Sequence, residues 1–346
     1  MYQPILKGKK GEFDAWSAVS SNRRSGATPL FEVITSQGFT ADLQKFVAGL
    51  DQATQADDVV AVDAHALADA VEPSTGILPY SWVAQNRAVN SPRIRPVFRL
   101  DDTMQFALDA IGIAAEYEEF PILRIGGNEA EPAPDPSDRS LQDLAARLGT
   151  QCSALHVLID LASIHGSGAS AQQHTAEAYL RWAAGNGPWA SVTLAAGAFP
   201  SQITTLPKGV GNEIPRTDAE LYNTVAALGI VSGLRFGDYA VRHPDLVDGP
   251  VYNGPLPNLR YTGDDVWIVW RESKDKKNPH NTFYDVCAGI VSLPAFRGAA
   301  FSPSDGIIES KSRRVPGPGA GTEWIAYGVG QHIEQVLDRL TNLGVA

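Results

Sequence analysis

Eight short apolar or β-branched runs, separated by helix-like segments, constrain the fold of this chain more than any other feature. They are Tyr2–Lys7, Thr28–Ile34, Val59–Ala64, Ile94–Leu100, Phe120–Ile125, Leu155–Leu161, Ser191–Ala196 and Gly233–Tyr239. Between them lie TADLQKFVAGL, TMQFALDAIGIAA, LQDLAARLGT, HTAEAYLRWAA and DAELYNTVAAL, whose apolar residues recur at three- and four-residue spacings. Strands alternating with amphipathic helices predict a parallel sheet, each helix carrying the chain back to the starting edge. An open doubly wound sheet usually has a glycine-rich phosphate turn after its first strand, but here that turn reads Lys7-Gly8-Lys9-Lys10-Gly11-Glu12. The expected fold is therefore α/β, a parallel (β/α)8 TIM-like barrel with an irregular C-terminal extension, and the open sheet is the alternative.

A ninth run, Val266–Glu272, follows a segment rich in Pro and Gly that shows no helical period. It is expected outside the parallel repeat, paired with NLRYT as a hairpin across the GDD turn. The alternative makes it the eighth barrel strand and reduces Tyr2–Lys7, which carries Pro4, to a lid. Beyond it come a helix over TFYDVCAGIVSL, the low-complexity run VPGPGAG and a closing helix from Glu323 to Leu343. The whole chain, residues 1–346, is expected to be one barrel domain, with a core over about 1–240 and an extension over about 241–346.

Composition narrows the function classes. At 346 residues, with 44% hydrophobic and 19% charged residues, the chain can bury a large core. A formal charge of -11 repels phosphate backbones at long range and argues against general nucleic-acid binding. Cys152 and Cys287 stand far apart, without a paired-cysteine metal spacing, which suits a reducing compartment. The N-terminus turns charged after six residues, and no uninterrupted apolar run reaches membrane-spanning length. The expected address is the cytoplasm. No nucleophile elbow, Walker motif, reactive-cysteine motif or kinase signature is present.

Barrels place chemistry at the C-terminal ends of their strands, and here those ends carry Lys7, Glu32, Asp63, Arg99, Arg124, Asp160 and Asp238. Most of these charges follow an apolar residue two positions earlier: Leu30 before Glu32, Val97 before Arg99, Ile122 before Arg124, Leu158 before Asp160 and Phe236 before Asp238. Burying such a ring unpaired is costly, so its members pair with one another, bind a charged ligand or face water. As a pocket, the ring assigns Asp160, Glu32 and Asp238 to catalysis. It assigns Lys7, Arg99 and Arg124, with Arg271 beside the aromatic stretch Trp267, Trp270, Tyr284, Trp324 and Tyr327, to an anionic ligand. Arg99 and Arg124 are expected to contribute ligand affinity more than stability. As bracing, the same residues only hold neighbouring loops. Asp63 and His65 offer oxygen and imidazole donors for Mg or Mn, although His65 equally suits a loop hydrogen bond. The turn His165-Gly166-Ser167-Gly168 before a helix offers backbone N–H groups to a phosphate, or is simply a glycine-rich loop.

The opening MYQPILKGKKGE followed by PLFEV resembles that of the phage beta-protein family. Further matching stretches are Gly237-Asp238-Tyr239, Arg260-Tyr261-Thr262, Phe301-Ser302 with Asp305, and Gln331-His332-Ile333. The resemblance spans almost the whole chain and implies one barrel-like domain and a place in phage–host conflict. Where the family pattern pairs two histidines near His332, this chain has Gln331, which argues against a role for His332 that needs two imidazoles.

Two functions follow. One is metal-assisted hydrolysis of a phosphorylated or nucleotide-like small molecule, with Asp160 and Glu32 at the chemistry. The other is a non-catalytic sensor or interaction module, in which the pocket binds an anionic small molecule and the extension meets a partner protein. Carboxylates fully paired to the arginines favour the module, whereas a phosphate or divalent ion among Glu32, Asp63 and Asp160 favours the enzyme.

Overall fold

The structure is a computed structural model that describes residues 1–88, 91–126, 140–245, 256–273, 277 and 281–346. Eight parallel strands close a barrel: β1 (Tyr2–Lys7), β2 (Leu30–Glu32), β3 (Val59–Asp63), β4 (Arg93–Phe98), β5 (Ile122–Gly126), β6 (His156–Ser163), β7 (Ser191–Gly197) and β9 (Arg235–Asp238). β1 pairs with both β2 and β9, so Tyr2–Lys7 is a true barrel strand, and Pro4 sits in register with Asp238 without interrupting it. The chain therefore adopts the expected parallel (β/α)8 barrel. No helix among the described residues is long and apolar enough to cross a membrane.

The barrel interior is layered because alternate residues of every strand point inward. Its middle layer takes one residue from each strand or its end: Ile5, Leu30, Ala61, Val97, Ile122, Leu158, Ala195 and Tyr239. Each fully buried large apolar side chain of this layer contributes about 1.5–3 kcal/mol, which fixes the strand register beneath the polar mouth. The opposite strand faces pack on the surrounding helices through a larger core that includes Leu6, Phe31, Val62, Phe98, Leu123, Ile159 and Phe236.

A short strand, β8 (Gly211–Pro215), lies between β7 and β9 in the chain, and the sequence pattern does not mark it. It pairs antiparallel with β11 (Val266–Arg271), which also pairs with β10 (Asn258–Thr262) as the expected hairpin. Residues 211–215 carry only Ile214 as a large apolar side chain, so no period of two is visible there. The aromatic stretch packs largely in the interior: Trp267 is fully buried, and Phe283 stacks on Trp324 with ring centroids 4.5 Å apart. The last helix, Gly321–Asn342, lies against the first helix, Lys10–Ser17, and against β10. Gly328 permits that approach, since a Cβ there would stand 2.8 Å from the Arg260 carbonyl oxygen.

Candidate functional site at the barrel mouth

Two residues beyond the middle layer, the inward positions change from apolar to charged. Ile5, Leu30, Ala61, Val97, Ile122 and Leu158 are followed in this way by Lys7, Glu32, Asp63, Arg99, Arg124 and Asp160. Arg124 is the hub. Its Nη1 donates to Glu32 Oε1 at 2.8 Å and to Asp63 Oδ2 at 2.6 Å, while Nε and Nη2 donate to Asp160 Oδ2 at 3.0 and 2.6 Å. Nη2 also reaches the Tyr239 hydroxyl at 2.8 Å, and that hydroxyl donates to Asp160 Oδ2 at 2.6 Å. Burial opposes the charge on Arg124, but Tyr239, Asp160, Glu32 and Asp63 outweigh it and raise its pKa further. Burial likewise opposes the Asp63 carboxylate, yet Arg124 and Arg99 hold it well below the usual carboxylate range.

The rim completes the network. Lys7 pairs with Glu32 and lies 5.5 Å from the Tyr239 ring centroid. Arg99 Nη2 meets Asp63 Oδ2 at 3.0 Å, and its side chain, 19% exposed, keeps a buried Nε without a partner. Asp102 holds both the Arg99 backbone N–H at 2.7 Å and His65 Nδ1 at 2.7 Å. Three cations, Lys7, Arg99 and Arg124, thus face three carboxylates, Glu32, Asp63 and Asp160.

The backbone is shaped to the same end. Asp160 Oδ1 accepts the N–H of Ala162 at 2.9 Å, and Ala162 adopts φ 52° where the β6–β7 register shifts. Such bulges re-aim strand-end side chains. Gly126 ends β5 with φ +82°, and a Cβ there would lie 2.3 Å from the Asp160 carbonyl oxygen. Only glycine combines that conformation with that approach.

Two expected members of the site stand elsewhere. Asp238 points outward from the barrel: its carboxylate accepts from the Tyr2 hydroxyl at 2.5 Å, from the Ala240 N–H at 2.9 Å and from His332 Nε2 at 2.8 Å. The parity of β9 is the reverse of that expected from Phe236, because Gly237 is the residue packed inside, against Ala195 and Thr193. Tyr239 consequently takes the mouth position. Arg271 is not at the mouth ring; its Nη1 donates to the carbonyls of Thr204 and Leu206 at 2.8 and 2.6 Å. Around Asp63 and His65, as elsewhere among the described residues, no group of three or more His, Cys, Asp or Glu side chains is placed to hold an ion. The Asp63 oxygens already accept from Arg124, Arg99 and the His65 backbone N–H, so guanidinium groups stand where a cation would sit. In the His165 turn, His165 Nδ1 bonds the Ala198 carbonyl at 3.1 Å and braces the loop.

One residue near the mouth had no sequence signal. Glu12, in the first turn after β1, is 2% exposed, and its Oε2 has no partner. Burial pushes its carboxyl up to about 7 despite Arg242, 3.6 Å away, and Lys7. A glutamate in a helical first turn is ordinarily a solvated dipole partner, so only its burial beside Lys7 and Arg242 in the folded chain marks it out.

The family model described as Beta protein matches residues 2–338, and the chain belongs to that family. No curated protein matches the sequence. Among solved structures, the X-ray crystal structure of the Paramecium bursaria Chlorella virus arginine decarboxylase bound to agmatine is similar at 11% identity and a TM-score of 0.31. The match covers 68% of this chain and 63% of that one.

Proposed function

We propose that this Beta protein family member is a non-catalytic sensor or interaction module whose barrel mouth takes an anionic small molecule at its rim. The observation that carries the reading is that Glu32, Asp63 and Asp160 all accept hydrogen bonds from the single buried guanidinium of Arg124. A general base or a metal ligand needs an accessible lone pair, and these carboxylates direct theirs at Arg124, Arg99, Lys7 and Tyr239. Lys7 and Arg99 remain the ligand-facing groups, because they stand at the rim and the Arg99 side chain is 19% exposed. A carboxylate or phosphate of the ligand would share them with Glu32 and Asp63. The barrel and residues 241–346 are read as one unit, since β8 within the barrel sequence completes the sheet of the extension, and ligand occupancy is relayed from there to a partner protein. The reducing-compartment composition fits a cytoplasmic setting, and a role in phage–host conflict rests on the family resemblance.

The second reading, hydrolysis of a phosphorylated or nucleotide-like small molecule, is favoured by Glu12, whose value near 7 suits acid–base work although its unpartnered oxygen is buried. Screening the purified protein against phosphodiesters and nucleotides with Mg²⁺ or Mn²⁺ separates the two. The module reading expects no turnover and expects carboxylate or phosphate probes to bind tenfold or more weakly to Arg99→Met. Turnover abolished by Glu12→Gln or Asp160→Asn overturns it.

A further inference from the structure

The opposite end of the barrel holds a second polar cluster. One turn of the strand pattern below the middle layer, the inward residues include Gln3, Thr28, Arg95, His156, Thr193 and Arg235. Of these, Thr28, Arg95, His156 and Arg235 line a cavity of about 410 Å³ that opens beside the start of β3 and the helix Ser21–Arg24, while Gln3 and Thr193 line a small pocket of about 10 Å³ that shares those four residues. Unlike the mouth, this end is not charge-balanced. Arg95 is paired to Glu119 through Nη2 at 2.5 Å, and Arg24 is paired to Asp58 at 2.8 Å. Arg235 is half-buried, and among the described residues no carboxylate lies within ion-pair distance of it. Asp57, the other acid on the cavity wall, is exposed at its edge.

The consequences of this imbalance appear on its neighbours. Burial, followed by the fields of Arg95 and Arg235, pushes the His156 imidazole down to about 3. Arg235 itself is lowered by burial and then by Arg95. A guanidinium left without an anion, facing a second guanidinium inside a cavity, costs stability, and proteins retain such groups where a ligand supplies the missing charge. The Thr28 hydroxyl lines the same cavity, those of Ser191 and Thr193 line the small adjoining pocket, and Ser191 Oγ is 2.7 Å from His156 Nδ1. The unpaired fork of Arg235, with the charge of Arg95, whose Nε and Nη2 already donate to Glu119 at 3.2 and 2.5 Å, and with the nearby hydroxyls, suits a tetrahedral dianion better than a single carboxylate. The cavity exceeds the volume of one phosphate group and leaves room for an organic remainder.

We propose that the N-terminal floor of the barrel is a binding site for a phosphoryl anion, a phosphate monoester of a small metabolite, held by Arg235 and Arg95 with the hydroxyls around them. The site is independent of the mouth, from which the whole middle layer of the barrel separates it.

The test titrates the full-length protein with inorganic phosphate and, separately, with ribose 5-phosphate. Binding is read by calorimetry and by the NMR signals of the His156 ring, identified by their loss in His156→Gln. Wild type is expected to bind both probes with shifts at His156, and ribose 5-phosphate more tightly if the cavity holds the organic part. Arg235→Met is expected to weaken binding at least tenfold while unfolding at an unchanged or higher midpoint. The mouth variant Arg99→Met should leave the His156 shifts unchanged, which keeps this site's result separate from that of the mouth. No shift at His156 at millimolar concentrations of either probe would overturn the proposal. So would an Arg235→Met variant that binds like wild type, or one that loses stability and thereby shows Arg235 to be a structural residue.

Discussion

Arg124 and Asp160, on adjacent strands, share a forked contact in which Nε and Nη2 of the guanidinium both donate to Asp160 Oδ2, at 3.0 and 2.6 Å. The Tyr239 hydroxyl donates to the same oxygen, while Oδ1 is committed to the Ala162 N–H. An aspartate with both oxygens so engaged is an anchor for the guanidinium, and through it for Glu32 and Asp63. Arg124 is thus an organising charge of the upper barrel.

Replacing Arg124 tests that relationship. Arg124→Met would leave three carboxylates close together without their common cation, and breaking a buried pair from one side costs about 3–5 kcal/mol. Urea unfolding should show a loss of that size, and the double variant Arg124→Met with Asp160→Asn should recover part of it. A loss under about 1 kcal/mol would show that solvent replaces the guanidinium.

Gly126→Ala should also destabilise, for a backbone reason. The added Cβ meets the Asp160 carbonyl at 2.3 Å in a left-handed conformation that L residues avoid. Strained backbone of this kind costs on the order of 1–3 kcal/mol, and the clash adds to it. A thermal midpoint equal to that of wild type would contradict the packing of β5 on β6 described above.

Glu12 gives stability a pH dependence of known sign. Its folded value, about 7, lies above its ordinary value of 4.5, chiefly because burial disfavours the charge. A raised value means the folded state holds the proton more tightly, so the stabilisation is fully present below about pH 4.5 and is lost as pH rises through 7. The rise corresponds to about 3 kcal/mol. Glu12→Gln should therefore gain stability relative to wild type between pH 5 and 8, measured by denaturant midpoints. A difference that does not vary across that range would mean the carboxyl is not buried as described.

His332 ties the last helix to the barrel. Its Nδ1 faces the Thr262 hydroxyl at 2.9 Å and the Trp267 indole N–H at 3.4 Å, and its Nε2 faces Asp238 at 2.8 Å. The tautomer that satisfies all three contacts carries its proton on Nε2. Burial lowers the His332 pKa in spite of Asp238. His332→Phe would remove a donor from a buried carboxylate, at about 1–3 kcal/mol. Limited proteolysis should then cut within residues 241–346 sooner than in wild type. Unchanged protection would assign the docking of that segment to apolar packing alone.

The eight barrel strands and six of the mouth residues were legible in the sequence, for a local reason. In β2, β4, β5 and β6 an inward apolar residue stands two positions before a charge, and alternation alone then assigns both to the interior. The same rule misplaced Asp238, because in Arg235-Phe236-Gly237-Asp238-Tyr239 the inward residue is a glycine with no apolar signal, and the bulky Phe236 faces the helices. The Gln331 side chain bonds both the N–H and the carbonyl of Thr262, at 2.8 and 3.0 Å, a contact between positions far apart in the chain.

The sequence by itself determined the alternation, the number of barrel strands and the charged strand ends. Only the tertiary structure decided that the charges neutralise one another around Arg124, that β8 joins β11, that Glu12 is buried beside Arg242 and that Arg235 has no carboxylate partner among the described residues. The physical reason is the range of the interactions concerned. Hydrophobic periodicity is written over five to ten neighbouring residues, whereas ion pairing and desolvation depend on strands far apart in the chain: Glu32 and Arg124 are 92 residues apart, and Asp160 and Tyr239 are 79. Which charge finds a partner, and which is left for a ligand, is settled only when the barrel closes.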